Sequence, residues 1–215
     1  KEVRANLITA QLKKYTGRIL DFGCGEGYVT KKLNGCIGYD IKEHDSWNSF
    51  ENTILTTDWN VVTEFAPYDS IILYDVIDHI SAESVDVVID KIKSVANNNC
   101  KIKVFAHPWT SPHGGHLYEK FNKSHLHLIL NDDKFNDLTS GQTFNKVIRP
   151  QAYYKMILED NFIVKNKKVI INELDQWIID ILVPIIARKV YDDKLELDQV
   201  IKLMSISGIY YDLMV

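Results

Sequence analysis

The sequence predicts an α/β fold built around a mainly parallel β-sheet. Short apolar runs of β-strand character alternate with longer stretches of helical character along most of the 215 residues. One run, Ser70 to Tyr74, is almost continuously apolar, as expected of a central strand that is buried on both faces. Another run, Arg18 to Phe22, leads directly into a glycine-rich turn that precedes a predicted helix. We expect one domain that spans residues 1–215.

Five strands and three helices are predicted in the first half of the chain. The opening helix covers about 2–15 and ends before Gly17. A second helix covers about Tyr28 to Leu33, and a third begins at Ser81, which is a good N-cap ahead of apolar residues at helical spacing. The strands are Arg18 to Phe22, Cys36 to Asp40, Thr53 to Thr57, Ser70 to Tyr74 and Lys101 to Ala106.

Two further strands and additional helices are predicted in the C-terminal third. A helix begins at Pro150 and runs to about Asp160. Residues 162–171 and 208–215 have strand character. Residues 174–204 have helical character, with Pro184 kinking or dividing the run. We therefore expect a helical insertion at 174–204, directly before the last strand.

The composition excludes several classes of protein. With 46% hydrophobic and 25% charged residues, the chain differs from disordered, fibrous and coiled-coil sequences. A net charge of -4 disfavours a general nucleic-acid coat protein, while local basic patches stay allowed. Three scattered cysteines disfavour a disulfide framework and suit a reducing compartment. Because the sequence lacks both a long apolar run and an apolar signal segment in residues 1–10, we expect a cytoplasmic protein without membrane spans.

The strongest functional signal is the glycine turn at residues 23–27, Gly-Cys-Gly-Glu-Gly. Glycine lets the backbone turn sharply and lets a ligand approach the main chain closely. A helix that begins after such a turn offers free N–H groups to a carboxylate or phosphate. Asp40, at the end of the second strand, can accept hydrogen bonds from two hydroxyls. The third glycine comes one residue too early for the dinucleotide pattern G-x-G-x-x-G, which disfavours an NAD-dependent oxidoreductase.

The segment LDFGCGEG, residues 20–27, resembles motif I of class I S-adenosylmethionine-dependent methyltransferases. Further landmarks follow in that family's order: GYDI after strand two, TTDW after strand three and YDVIDHI after strand four. The resemblance covers residues 1–106 and departs at Asp78, where the family commonly has glutamate. It implies S-adenosyl-L-methionine as cofactor. It also implies a Rossmann-like, doubly wound sheet of seven strands in the order 3-2-1-4-5-7-6, with the last strand antiparallel.

The resemblance places cofactor contacts at the ends of the first four strands. It implies that Asp21 binds the methionine amino group through water, that Asp40 binds the ribose hydroxyls and that Asp58 binds the adenine amino group. Ile41 is then expected along the adenine face, with Trp59 as an aromatic wall. The expected cofactor-binding residues are Asp21, Gly23, Cys24, Gly25, Gly27, Asp40, Ile41, Asp58, Trp59 and Asp75.

Each of these assignments has a structural alternative. The first two glycines can form only a tight strand-to-helix turn, and Asp21 can simply orient that turn. Asp40 and Asp58 can be solvated strand ends. Cys24 is expected to fill space, because no histidine or lysine stands beside it in the sequence to activate a thiol.

Residues 105–127 carry five of the seven histidines and follow strand five, at the sheet edge where open α/β folds bind ligands. His107 or His113 can accept a proton from the group to be methylated, because imidazole titrates near neutrality. Trp109 and Tyr118 can stack on a planar substrate. The expected catalytic residues are His107 and His113, and the expected substrate-binding residues are Asp78, His79, Trp109, His116 and Tyr118.

A metal site is the rival interpretation of this loop. His113, His116 and Glu119 have plausible ligand spacing. The sequence lacks the paired glutamates and paired histidines of metal-dependent RNA-end methyltransferases, so we predict no metal. His125 and His127 are expected on an amphipathic helix, where they serve packing or contact solvent.

We therefore expect a methyltransferase whose acceptor is a small or medium-sized molecule. The sequence lacks the signatures of DNA adenine, DNA cytosine and RNA 2′-hydroxyl methylation. An RNA end or another nucleic acid stays open, because the chain has small basic clusters at 13–14, 31–32 and 165–168, although solvated faces are the simpler interpretation. A non-catalytic cofactor-binding partner subunit is a further alternative. The apolar segment 177–186 suits a core, a lid or a dimer face, which leaves a homodimer open.

Overall fold

A computed structural model of the chain shows a sheet with helices on both faces. The structure describes residues 1–112, 114, 124–130, 133, 134, 137 and 154–215. His113, His116, Tyr118 and Glu119 lie outside the described residues, so the roles predicted for them stay predictions.

The described residues form a seven-stranded sheet. Its strands are β1 Ile19–Phe22, β2 Cys36–Tyr39, β3 Ile54–Thr56, β4 Tyr68–Tyr74, β5 Ala96–Ala106, β6 Ile163–Ile171 and β7 Ile206–Met214. Their order is β3-β2-β1-β4-β5-β7-β6. The pairs among β1 to β5 are parallel, whereas β7 runs antiparallel to both β5 and β6. This topology confirms the predicted doubly wound sheet with an antiparallel last strand.

Six α-helices have their bounds within the described residues. They are α1 Glu2–Gln11, α2 Trp59–Glu64, α3 Val85–Val95, α4 Leu126–Ile129, α5 Val183–Tyr191 and α6 Leu197–Ser205. The opening helix is shorter than the predicted 2–15. The helix predicted from Ser81 begins as a 3₁₀ turn, Ala82–Ser84, and continues as α3.

The helix predicted over Tyr28 to Leu33 is wrong. A single 3₁₀ turn, Thr30–Lys32, takes its place. Val29 and Thr30 are β-branched, which disfavours a helix, and the Thr30 hydroxyl donates to the Asp21 carboxylate at 2.7 Å. The free N–H groups of a regular helix therefore do not follow the glycine turn, and any ligand there must be held by the turn itself and by neighbouring side chains.

Apolar clusters cover both faces of the sheet. On one face, α3 contributes the buried residues Val85, Ile89 and Ile92 to the main core, which also includes β4 and β5. On the other face, α1 packs with Ile8 and Leu12 against β1 and β4. Each fully buried side chain of this size contributes roughly 1.5–3 kcal/mol. This double burial fixes the carboxyl ends of the parallel strands at a common edge, where the candidate site lies.

The predicted helical insertion lies between β6 and β7. It consists of a π-helical turn, Ile178–Leu182, followed by α5 and α6. Pro184 stands at the beginning of α5, where its missing N–H costs little, so it divides the run as predicted. The insertion has its own small core, which includes Ile186 and Met204. Among the described residues, we find no helix with the length and apolar character needed to span a bilayer.

Candidate active site

The glycine turn leaves β1 in a conformation that requires glycine. Gly23 and Gly25 have φ angles of +76° and +52°, in the left-handed region that side chains disfavour. A Cβ atom at Gly23 would lie 2.4 Å from a methyl group of Val76, so the turn packs closely on the segment that follows β4. At Gly25, none of the atoms of the described residues lies within 4 Å of an added Cβ. The backbone there is open to a ligand.

Side chains from the segments after β2 hold the turn in place. The Gly25 N–H donates to Asp40 Oδ2 at 2.7 Å, and the Trp47 indole N–H donates to the Gly25 carbonyl at 2.8 Å. The Ser46 hydroxyl donates to the Glu26 carbonyl at 2.9 Å. A carboxylate offers about four acceptor positions. Asp40 uses one for Gly25 and one for the amide of Lys42, so two stay available for ligand hydroxyls.

Asp21 is a buried carboxyl beneath the turn. Only 4% of its surface is exposed. Burial raises its pKa to about 6, with the nearby Asp40 acting in the same direction, while the hydrogen bond from Thr30 opposes the shift. Near neutral pH the carboxyl is therefore close to its titration point. A cationic ligand group would favour its charged form.

Two cavities flank a ridge that is formed by Gly23, Gly25 and Asp75, which line both of them. The larger cavity, about 840 Å³, also contains Asp40 and Ile41. The smaller cavity, about 290 Å³, contains Asp21 and Arg4, together with Tyr74 and the first turns of α1. An elongated ligand can therefore cross the ridge with one end in each cavity.

Asp75 is the one residue of this ridge with a side chain, and both its backbone and its carboxylate make specific contacts. Its φ angle is +54°, which is uncommon for a residue with a Cβ atom, and its N–H donates to the Phe105 carbonyl at 2.9 Å. Its Oδ2 accepts a charge-assisted hydrogen bond from Arg4 of α1. Its Oδ1 lies 3.5 Å from Nε2 of His107. Observed strain of this kind clusters at functional sites.

His107 is anchored on three sides. Its Nδ1 lies 2.6 Å from the Ser207 carbonyl, which can only accept, so Nδ1 carries a proton. Its own carbonyl accepts a hydrogen bond from the Tyr154 hydroxyl, and its N–H donates weakly to Asp78 at 3.5 Å. In the neutral ring, Nε2 therefore has the lone pair, and it faces Asp75. This arrangement can take up one proton, because an imidazolium would lie between a carbonyl and a carboxylate.

Other predicted cofactor residues have different placements. Ile41 lines the larger cavity and is 89% exposed, which leaves it available to an apolar ligand face. Asp58 is the N-cap of α2 and accepts from the Asn60 amide at 2.9 Å. Trp59 packs edge-to-face on Tyr39, with ring centres 5.1 Å apart. Neither Asp58 nor Trp59 is among the described residues that line the two cavities, so their cofactor contacts stay predictions.

Of the remaining glycine-turn residues, Gly27 packs against Leu55, whereas Cys24 lines the smaller cavity. Gly27 has a φ angle of +77°, and an added Cβ there would lie 2.8 Å from Leu55. Cys24 has a free thiol whose pKa is raised by burial and by the nearby Asp21. A raised thiol pKa suits a neutral space-filling group and not a nucleophile.

The expected substrate residues are divided between two regions. His79 lines the larger cavity. Trp109 packs with the core of the insertion, and its ring meets His127 edge-to-face at 4.8 Å. His125 and His127 are both buried, and their Nε2 atoms lie 3.1 Å from the Met204 carbonyl and 2.6 Å from the Trp109 carbonyl, respectively. His125 precedes α4 with a φ of +60° and is not inside a helix.

Arg4, Trp47 and Ser207 also shape the site, and the sequence did not single them out. Arg4 stands in an ordinary charged helix, Trp47 in a polar segment, and Ser207 contributes only its carbonyl. A carbonyl carries no residue signature, so Ser207 was not predictable. An isolated tryptophan in a polar loop after a glycine turn is the one local signal that can indicate Trp47.

Comparison with solved structures identifies similar folds. A SAM-dependent methyltransferase from Archaeoglobus fulgidus is 14% identical, with a TM-score of 0.52 over 98% of this chain and 94% of that chain. A cyclopropane-fatty-acyl-phospholipid synthase-like protein from Lactobacillus casei is 15% identical, with a TM-score of 0.53 over 100% and 90%. A mycolic acid cyclopropane synthase, solved with SAH, is 12% identical, with a TM-score of 0.52 over 99% and 83%.

No protein-family model matches the sequence, and no curated protein matches it either. The strand order, the antiparallel β7 and these structural likenesses agree with one another. The chain has the class I, Rossmann-like fold of S-adenosylmethionine-dependent methyltransferases.

Proposed function

We propose that the chain is an S-adenosyl-L-methionine-dependent methyltransferase that acts on a small or medium-sized acceptor. The observation that carries this proposal is the pair of cavities on either side of the ridge formed by Gly23, Gly25 and Asp75. The ridge lies at the carboxyl ends of parallel strands, where doubly wound folds bind ligands. The cofactor, when bound, supplies an electrophilic methyl group.

The residues around the ridge fit such a ligand. The open space at Gly25 admits a ligand against the backbone. Asp40 has acceptor positions left for ribose hydroxyls, and the exposed Ile41 offers an apolar surface for a base. On the other side, the buried carboxyl of Asp21 suits an ammonium group. Arg4 lines the same cavity, and the guanidinium N–H groups that do not bind Asp75 suit a ligand carboxylate.

His107 and Asp75 supply the proton chemistry in this proposal. Methyl transfer mainly requires that the nucleophile and the methyl group are aligned and that water is excluded. An acceptor hydroxyl or amine also has to lose a proton. His107 takes that proton on Nε2, and Asp75 stabilises the resulting imidazolium from 3.5 Å. The Ser207 carbonyl keeps the ring in the required tautomer.

The charges around the site favour a small acceptor over a nucleic acid. Several nearby cations are paired with carboxylates: Lys1 with Glu26, Arg4 with Asp75, and both Lys31 and Lys32 with Glu2. Lys91, which lines the larger cavity, lies instead over the rings of Tyr39 and Trp59. Paired cations offer little attraction to a phosphate backbone. The cyclopropane synthases compared above also carry lipid substrates in their names, which agrees with a small-molecule acceptor.

Titration calorimetry with S-adenosylmethionine, S-adenosylhomocysteine and NAD tests the proposal. We expect binding of the first two and weak or absent binding of NAD. Asp40→Ala should weaken binding by about tenfold to a hundredfold, because hydrogen bonds to a charged group contribute roughly 1.5–3 kcal/mol. Glu43→Ala, a change in the exposed segment beyond Asp40, is the control. NAD binding without S-adenosylmethionine binding would contradict the proposal. Cofactor binding without transfer in a broad acceptor screen would favour the non-catalytic subunit.

A further inference from the structure

A separate polar cavity lies on the sheet face that carries α1, away from the glycine turn. It measures about 360 Å³ and is lined by Gln11, Lys103, Asn166, Lys168, Ile170 and Tyr210. These residues come from α1, β5, β6 and β7. The register pairs Lys103 with Asp212 and Lys168 with Tyr210, so their side chains project from the same face of the sheet.

Lys103, which lines this cavity, belongs to a buried ion pair. Lys103 is 8% exposed and Asp212 is 7% exposed, and Lys103 Nζ lies 2.7 Å from Asp212 Oδ1. Tyr15, Lys14 and Asn166 also donate to Asp212, at 2.7, 2.9 and 3.2 Å. Four donors fill the acceptor positions of one carboxylate. Asp212 is therefore fully satisfied from within the protein and offers nothing further to a cation.

Lys103 is not satisfied to the same extent. An ammonium has three N–H groups. Within the described residues, only Asp212 accepts from Lys103, while the Tyr210 ring centre lies 5.0 Å from Nζ. Two N–H groups of an ammonium whose side chain is nine-tenths buried thus have no acceptor among the described residues, and Lys103 lines the cavity. A buried cation with spare donors requires an anion or solvent to complete its shell.

Other residues that line the cavity also offer positive charge or hydrogen-bond donors. Lys168 lines the opening and is exposed. Gln11 accepts from the Tyr74 hydroxyl through Oε1 at 3.1 Å, which leaves its NH₂ group as a donor. The two positive charges of Lys14 and Lys103 exceed the single negative charge of Asp212, and Lys168 adds another positive charge. The donors and the local charge both favour an anion.

We propose that this cavity binds an anionic group of the phosphate or carboxylate class, held between Lys103 and Lys168 with Gln11 as a further donor. The proposal does not depend on methyl transfer. The same chemistry is offered by a free inorganic anion and by an organic molecule that bears the anionic group. Tyr210 lines the cavity, so an organic body can pack on its ring, which allows the two sources to be distinguished.

The test is an NMR titration of the full chain in low-salt buffer, with inorganic phosphate and with phenyl phosphate in separate series. We expect the amide signals of residues 103, 168 and 210 to shift in a saturable manner. Lys168→Glu should weaken binding at least about tenfold, because it replaces an attractive charge by a repulsive one. Lys165→Glu makes the same charge change at an exposed residue on the same strand that does not line the cavity, and should change affinity less than about twofold.

Lys103→Met removes a donor from Asp212 and can fail to fold, so the exposed Lys168 carries the test. Tighter binding of phenyl phosphate that is lost in Tyr210→Leu supports the proposal with an organic ligand. Equal binding of the two probes supports it with a free anion. The proposal is overturned if neither probe shifts these signals, or if Lys168→Glu and Lys165→Glu lose affinity equally.

Discussion

Nε2 of His107 lies 3.5 Å from Oδ1 of Asp75, and Arg4 binds the other carboxylate oxygen. The contact joins the end of β5 to the end of β4 and thereby places an imidazole next to Asp75 of the ridge, while His107 itself is not among the described residues that line the two cavities. The Ser207 carbonyl fixes the proton of the neutral ring on Nδ1. Since Asp75 has a left-handed backbone, this relationship depends on both the charge and the conformation of that residue.

His107→Gln should lower methyl transfer by about a hundredfold or more, which is the usual contribution of a general base. Cofactor affinity should change little, because His107 is assigned to the acceptor. Turnover and cofactor binding are measured separately, once an acceptor has been identified. His44→Gln provides a matched control, since His44 lines the larger cavity without contacting Asp75. Equal losses in both variants would exclude the base assignment.

Asp75→Asn separates the charge from the backbone conformation. Asparagine tolerates the left-handed region, so the variant should fold with a similar melting temperature. It cannot stabilise an imidazolium as a carboxylate does, and transfer should fall about tenfold or more. The shape of the pH–rate profile should also change. Unchanged transfer with an unchanged profile would show that the Asp75 charge has no part in the reaction.

Cofactor binding should depend on pH through Asp21. Its pKa is raised to about 6, so the charged form grows from about a tenth to about nine-tenths between about pH 5 and 7. If Asp21 holds an ammonium group, affinity should rise about tenfold over this range. The stability of the unliganded protein should change with pH in the opposite direction. Because the pKa of Asp21 in the folded protein is raised above the ordinary value of 3.8, this carboxyl stabilises the fold below pH 3.8. That contribution is lost as the pH rises through 6.

Calorimetry between pH 5 and 7 measures the first effect, and thermal unfolding of the free protein measures the second. Asp21→Asn should flatten both dependences. A steep pH dependence that persists in Asp21→Asn would assign the titration to another group.

Trp47→Phe should weaken cofactor binding by roughly fivefold. The change retains an aromatic ring but removes the indole N–H that donates to the Gly25 carbonyl, and one hydrogen bond contributes about 1 kcal/mol. Trp177→Phe is a matched control on the exposed side of the insertion. If the two variants bind the cofactor equally well, the hydrogen bond from Trp47 to the Gly25 carbonyl does not contribute to binding.

The sheet was predictable because its signals are local. Apolar strand runs such as 70–74 and the glycine turn at 23–27 can be recognised directly in the sequence. The strand order was inferred from the order of the motifs that resemble the methyltransferase family. The helix after the turn was mispredicted because two β-branched residues and the Thr30 bond to Asp21 override the apolar pattern. Arg4 and Ser207 meet His107 and Asp75 only through tertiary contacts, for which residues 4 and 207 carry no local signature.

The most direct test of the central claim is a crystal structure of the chain with S-adenosylhomocysteine. We expect adenosine in the larger cavity with its ribose on Asp40, and the amino-acid end in the smaller cavity beside Asp21. The sulfur should lie over the ridge formed by Gly23, Gly25 and Asp75. A ligand bound elsewhere, or adenosine in the smaller cavity, would contradict the proposed cofactor site.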